Sequence, residues 1–196
     1  MMLMVVGLAL FFLIHLVPTV PEVRRTFVSR LGENTYKVVF SVVSIAALAL
    51  IVYGYGKLYL TPGKNPTIWN PPRGLRHVTM LLMAIAFVLL AAAYVPSRIR
   101  TAVRHPMLAA VKLWALAHLL VRGDLASMVL FGSFLAWAVF DVISVKKRGA
   151  LGPLGARQGG LGGDVLAVVV GMALYAVMLL WGHARLIGVP LLPGWG

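Results

Sequence analysis

The chain of 196 residues contains no cysteine, and only five of its side chains are acidic. Without thiols it cannot form disulfides, zinc–thiolate sites, iron–sulfur clusters or the covalent attachment of c-type haem. Glu22 and Glu33 lie in a loop and the aspartates are scattered, so paired carboxylates for hydrolysis are missing. Neither a His-Glu-x-x-His motif nor the serine–histidine pattern of a rhomboid-type protease occurs. These absences exclude the corresponding classes of hydrolase.

Charge is also scarce, and what there is has one dominant sign. Charged residues make up 12% of the chain, hydrophobic residues 61%, and the mean hydropathy is +0.93. Because soluble domains are roughly a quarter charged, the apolar excess here must face lipid. The net charge of +13 comes from basic residues clustered between apolar runs. This pattern indicates membrane topology and anionic lipid headgroups rather than nucleic acid.

Six apolar stretches meet or approach the length of about 17 to 25 residues that crosses a bilayer. They are residues 1–17, 38–55, 78–95, 107–121, 125–145 and 165–181. The fourth is short, and the break at residues 122–124 predicts a hairpin with the fifth. The first lacks a basic leader and a cleavage site, so we expect an uncleaved transmembrane helix. The predicted fold is therefore all-α: a polytopic membrane helix bundle of about six transmembrane helices, forming one domain over residues 1–196.

Loop charges predict the orientation of this bundle. The more basic side holds Arg24, Arg25, Arg30, Lys37, Arg98, Arg100, Arg104, Lys146, Lys147, Arg148 and Arg157. The other side holds Lys57, Lys64, Arg73, Arg76, Arg122 and Arg185. The positive-inside rule places the first set in the cytoplasm, which puts both termini on the opposite side.

Two connections have distinctive compositions. The segment GALGPLGARQGGLGG over residues 149–163 holds seven glycines and predicts a flexible linker. A phosphate-binding loop is disfavoured there because no strand precedes it and no Gly-Lys-Ser/Thr follows. The segment TPGKNPTIWNPPRGLRH over residues 61–77 holds four prolines and a tryptophan. It predicts a semi-rigid segment that lies along the membrane surface.

Several ionisable residues fall within the apolar stretches. His105 and His118 are 13 residues apart on one helix, a rise of about 20 Å and a rotation near 220°, so one metal ion cannot contact both. Folding the fourth span against the fifth places His105 beside Asp141. Lys112 shares the His105 face of the helix. We therefore predict an intramembrane cluster of His15, His105, Lys112 and Asp141.

Three members of this cluster also have a plainer structural interpretation. His105 precedes Pro106 and fits a helix cap, Lys112 fits a snorkelling lysine, and Asp141 fits an ion pair with the basic residues 146–148. His15 and His118 are flanked by leucine and isoleucine within spans, where an imidazole needs a partner. Histidines on separate transmembrane helices suit haem b, and a proton or ion pathway would use the same residue types. His77 and His183 are assigned to the interface.

Four segments carry a resemblance to a known family. They are IWNPPRGLRH, LLMAIAFVLLAAAYVPSRIRTAVRHPMLAAVKLWALAHLLVRGDLASMVLFGSFLAWAVFD, GLALFFLIHL and LGENTYKVVFSVVS. Together they resemble the NnrU family of bacterial integral membrane proteins over nearly the whole chain. The resemblance implies a bacterial inner-membrane protein that supports nitrite and nitric oxide metabolism, with nitrite or nitric oxide reductase components as partners.

The NnrU family is in turn similar to the plastid zeta-carotene isomerase, a membrane enzyme that contains haem b. In that relative the iron is held by a histidine of the first span and by the histidine of the AH element after HP, which match His15 and His118. Depth along the helices alone pairs His15 with His105. A first helix that continues past Pro18 to about Arg24 would bring His15 towards the level of His118, and a tilt would close the remaining gap. His105, Lys112 and Asp141 are then left as a second polar cluster.

Three functions remain open at this point. The first is a haem-containing accessory protein of nitrogen-oxide metabolism. The second is a haem-dependent cis–trans isomerase that acts on a polyene or isoprenoid lipid. The third is a haemless scaffold or proton-coupled transporter whose buried histidines carry protons.

Overall fold

The computed structural model describes residues 1–61 and 63–192, which form helices joined by turns and loops. The helices are α1 (Met2–Leu16), α2 (Pro21–Leu31), α3 (Glu33–Tyr59), α4 (Leu75–Ala92), α5 (Arg98–Val103), α6 (Pro106–Leu119), α7 (Leu125–Lys147), α8 (Leu161–Val177) and α9 (His183–Ile187). A 3₁₀ turn (Val17–Thr19) follows α1, and a π-helical turn (Met178–Gly182) joins α8 to α9. Within the described residues the β-type pairing is limited to one bridge, between Thr67 and Asp124. The all-α prediction is confirmed.

Among the residues that the structure describes, five segments are long and apolar enough to span a membrane. They are Met2–Thr19, Glu33–Leu58, Leu75–Ala92, Leu125–Lys147 and Leu161–Ile187. The shorter apolar helix α6 has 14 residues, a length of about 21 Å against the hydrocarbon thickness of about 30 Å. The prediction of a polytopic membrane bundle is confirmed, with the predicted fourth span present as this shorter helix.

The first helix ends earlier than the continuation to about Arg24 that would raise His15 towards the level of His118. Helix α1 ends at Leu16, and Val20 adopts an extended conformation (φ −112°, ψ 97°) before α2 begins at Pro21. The physical reason is that a proline disfavours the helical conformation in the residue before it, while fitting the first position of a new helix. The expected continuation to about Arg24 is therefore wrong, and His15 lies in the last turn of α1.

Glycines allow the helices to pack closely. Helix α1 packs on α3, α6 packs on both α4 and α7, and α8 packs on α4. A Cβ atom added to Gly7 would lie 2.8 Å from the backbone nitrogen of Ile51, and one added to Gly171 would lie 2.5 Å from the Cα of Val88. Small residues at such contacts let transmembrane backbones approach one another. Valines and isoleucines on the outward faces are exposed, as a lipid-facing surface requires.

The bundle has two chemically different ends. The "basic end" comprises residues 17–32, 93–105 and 148–160. The "proline-loop end" comprises residues 60–61, 63–74, 120–124 and 182–192. At the basic end, Arg148 Nη1 donates to the Pro18 carbonyl at 2.7 Å. The glycine-rich connection has no regular secondary structure there, yet Arg100 fixes it by donating to the carbonyls of Gly155 and Arg157. The predicted flexible linker is thus attached to the bundle.

Candidate functional site

His15 is surrounded by aromatic rings from three helices. Its Nδ1–H donates to the Phe11 carbonyl at 2.7 Å, and its imidazole stacks on the Phe11 ring with centroids 4.0 Å apart. The ring centroids of Phe40 on α3 and Trp137 on α7 lie at 5.0 and 6.2 Å. The imidazole therefore has its Nδ1 position fixed by backbone and its faces covered by aromatic groups.

His118 repeats this arrangement on α6. Its Nδ1–H donates to the Trp114 carbonyl at 2.8 Å, and its ring stacks on Phe131 of α7 with centroids 4.5 Å apart. In both histidines the bond to the carbonyl four residues earlier fixes the tautomer and leaves Nε2 as the acceptor nitrogen. Histidines that bind metals commonly donate their other ring nitrogen to a carbonyl or carboxylate in this way.

A row of aromatic rings connects the two imidazoles. Helices α1 and α6 run in opposite directions, and each histidine bends towards the N-terminus of its own helix. The His118 ring lies 5.4 Å from Trp114, and the Phe134 ring lies 5.2 Å from Phe11 and 5.4 Å from Trp114. The two histidines are therefore linked through Phe11, Phe134 and Trp114, a row of rings called the aromatic layer below.

The donor set fits a haem better than a small metal site. In the described residues there is no group of three or more histidine, cysteine or acidic side chains able to hold a metal ion, as a structural zinc site would need. Haem b requires only axial ligands to its iron. A neutral imidazole whose Nδ1–H donates to a carbonyl supplies such a ligand through its Nε2 atom. The aromatic layer links the two imidazoles, so a porphyrin held by both would need these rings to move aside.

The second predicted cluster lies at the basic end. His105 and Asp141 line a cavity of about 190 Å³ there, and the Asp141 carboxylate pairs with Arg148 at 3.6 Å. Burial lowers the pKa of His105 below its ordinary value; the charge of Lys146 acts in the same direction and that of Asp141 opposes it. Lys112 is half-buried on α6 and is not part of the cavity lining. The structure thus brings His105 and Asp141 together, and His15 of the predicted four-residue cluster also lies within electrostatic range of Asp141.

A polar network at the proline-loop end was not predicted from the sequence. Asp124 begins α7 and accepts hydrogen bonds from Ser127 N at 3.0 Å, Ser127 Oγ at 2.7 Å and Asn65 Nδ2 at 2.8 Å. The Arg122 guanidinium lies 3.2 Å from the Asp124 carboxylate and donates to the Tyr55 hydroxyl at 3.1 Å. Tyr55 and Ser127 share a further hydrogen bond of 2.8 Å. The network joins α3, the proline-rich loop and α7.

This network has a single detectable signal in the sequence. Asp124 followed by Ser127 is the side-chain pattern of a helix N-cap. In the sequence, however, the break at residues 122–124 predicts only a hairpin. Tyr55 and Asn65 lie about 60 to 70 residues away along the chain, and only the fold brings them to the turn. Ser127 is fully buried.

His183, assigned to the interface from the sequence, lies at the proline-loop end. It follows the π-helical turn, and its Nδ1–H donates to the Val189 carbonyl at 2.6 Å. Its imidazole lies within electrostatic range of His118. A π-helical turn changes the direction in which the following side chain points, and nothing in the sequence indicates its presence.

The fold and the site define a class: a multi-pass helical membrane protein with imidazoles held among aromatic side chains. The chain belongs to the NnrU family, because the family model described as "NnrU protein" matches residues 3–191. The resemblance found in the sequence is thereby confirmed. Neither the curated proteins nor the solved structures include a match to the chain.

Proposed function

We propose that this NnrU-family protein binds haem b within its bundle through His15 and His118, and supports nitrite and nitric oxide metabolism. The observation that carries the proposal is the matched state of the two histidines. Each commits Nδ1 to a carbonyl in its own helix and retains Nε2 as an acceptor beside the same aromatic layer.

The surroundings of the two histidines support a flat, apolar cofactor. Large aromatic rings make contacts between α1 and α7. Phe12 and Phe134 meet there with centroids 5.3 Å apart, and Phe12 lies 5.5 Å from Trp137. These rings give the site an apolar lining. When bound, haem b supplies an iron that exchanges one electron.

The proposed location is the bacterial inner membrane, with both termini in the periplasm. The basic end carries the larger share of lysine and arginine, and the positive-inside rule assigns such an end to the cytoplasm. Components of nitrite or nitric oxide reductase are the proposed partners.

The absorption spectrum of the detergent-purified chain tests this proposal after expression with ample haem. We expect a Soret band in the unmodified protein, and its loss or displacement in His15→Ala and in His118→Ala. The matched control is His105→Ala, which should keep the band because His105 lies at the cavity of the basic end. An unmodified protein without a Soret band would favour the haemless scaffold or proton-coupled transporter. Loss of the band in His105→Ala alone would refute the ligand assignment.

A second function uses the same site on a lipid substrate. Leu13 and Leu16, on either side of His15 in α1, are exposed on the surface that faces lipid. A polyene dissolved in the bilayer could therefore approach this helix, as a haem-dependent cis–trans isomerase requires. Chromatography of polyene isomers after incubation with the haem-loaded protein would distinguish this function, since the accessory protein would leave the isomer ratio unchanged.

A further inference from the structure

The cavity at the basic end has a largely apolar floor and an unbalanced positive charge. Its walls come from the end of α4, from α5, from the start of α6, from the end of α7 and from the glycine-rich connection. Met107, Leu108 and Val145 supply apolar surface, while Arg100, His105 and Asp141 supply polar groups. A volume of about 190 Å³ equals that of about six water molecules, enough for a phosphate group and its first attached carbons.

Arg100 is the unusual member of this lining. Its residue surface is 7% exposed, and its guanidinium donates to two neutral carbonyl oxygens, those of Gly155 and Arg157. None of the ion pairs in the described part of the chain includes Arg100. Asp164 lies nearby but accepts from the Ile99 amide. A buried charge is costly unless a counter-charge accompanies it, so the cavity favours an anion.

The remaining charges around the cavity have the same sign. The Asp141 carboxylate is already opposed by Arg148, and Arg104 and Lys146 both lie within electrostatic range of His105. In the described part of the chain, Arg104 and Lys146 have no ion pair with an acidic residue. Basic pockets between transmembrane helices recognise phospholipid head groups through this combination of charge and apolar surface.

We propose that this cavity binds the phosphate of an anionic phospholipid from the leaflet at the basic end. The phosphate contacts the Arg100 guanidinium and the His105 imidazole, while the glycerol carbons lie against Met107 and Val145. Arg104 and Lys146 attract the head group at the cavity mouth. This inference does not depend on haem.

Native mass spectrometry of the full chain in detergent tests the proposal by titration with short-chain phosphatidylglycerol or phosphatidylcholine. We expect phosphatidylglycerol to bind at least about tenfold more tightly, and Arg100→Gln to remove most of that preference, since a charged hydrogen-bonded pair is worth about one decade or more. The control Arg185→Gln removes an exposed charge at the proline-loop end and should retain the preference.

Two further arms keep the test decisive. If Arg100→Gln does not fold, the double variant Arg104→Gln, Lys146→Gln alters exposed residues and should still weaken phosphatidylglycerol binding several-fold. Inorganic phosphate should not displace the lipid at equal concentration, and displacement would identify a free anion as the occupant and overturn the lipid proposal. Equal binding of both lipids by the unmodified chain, or an unchanged preference in every variant that folds, would also overturn it.

Discussion

Asp124 illustrates how a single carboxylate is stabilised at a membrane interface. Partial burial disfavours its charge, but the hydrogen bonds from Asn65 and Ser127 and the charge of Arg122 outweigh burial and lower the pKa of Asp124. We expect Asp124→Asn to lower the free energy of unfolding by about 1.5–3 kcal/mol, because hydrogen bonds to charged groups are worth about that much. Thermal unfolding in detergent measures the change. Glu22→Gln, in the exposed first turn of α2, is the control and should change little.

The lowered pKa of Asp124 also fixes the sign of a pH dependence. The unfolded carboxylate, with an ordinary pKa of 3.8, binds a proton more readily than the folded one. The stabilisation is therefore complete above about pH 4 and is lost as the pH falls through the folded pKa. The melting temperature of the unmodified protein should decrease more steeply below pH 4 than that of Asp124→Asn. Parallel curves would show that the network contributes no such stability.

Single residues differ in how far the sequence could reveal their environment. His15 and His118 could be selected because an imidazole among leucines in a span needs a partner, and the carbonyl four residues earlier in the same helix provides one. The surroundings of Asp124 could not be predicted, because Tyr55 and Asn65 reach it only after the helices have packed. The register of one hairpin is enough to predict that His105 and Asp141 lie together, whereas the contacts of Asp124 depend on how distant segments pack.

At the scale of helices, the contact between α1 and α3 depends on Gly54. A Cβ atom at Gly54 would collide with the backbone of Met4, whereas one at Gly56, two residues along the same helix, would meet open space. We expect Gly54→Ala to lower the free energy of unfolding by about 1–3 kcal/mol through overpacking. Gly56→Ala should be neutral or slightly stabilising, because alanine favours helix. Thermal unfolding of the two variants checks this, and equal melting temperatures would contradict the packing.

The existence of the helices follows from the sequence more directly than their ends. Long apolar runs have no stable alternative to a helix in lipid, which is why every predicted span corresponds to a helix. The predicted first span of residues 1–17 is present, but its continuation to about Arg24 is not, because two prolines, Pro18 and Pro21, act in opposite ways. Pro18 is accommodated in a 3₁₀ turn, while Pro21 forces Val20 out of the helical conformation and starts α2.

For the whole molecule, the absence of cysteine makes the proposed orientation directly testable. Lys64 lies in the proline-rich loop and Lys147 ends α7 at the basic end; both side chains are exposed. With the basic end in the cytoplasm, Lys64→Cys should react with a membrane-impermeant maleimide in cells whose outer membrane alone is permeabilised. Lys147→Cys should react only after the inner membrane is opened, and the unmodified chain gives a background free of thiols. The reverse labelling pattern would place the basic end outside. It would then assign the cavity of Arg100 to the periplasmic leaflet.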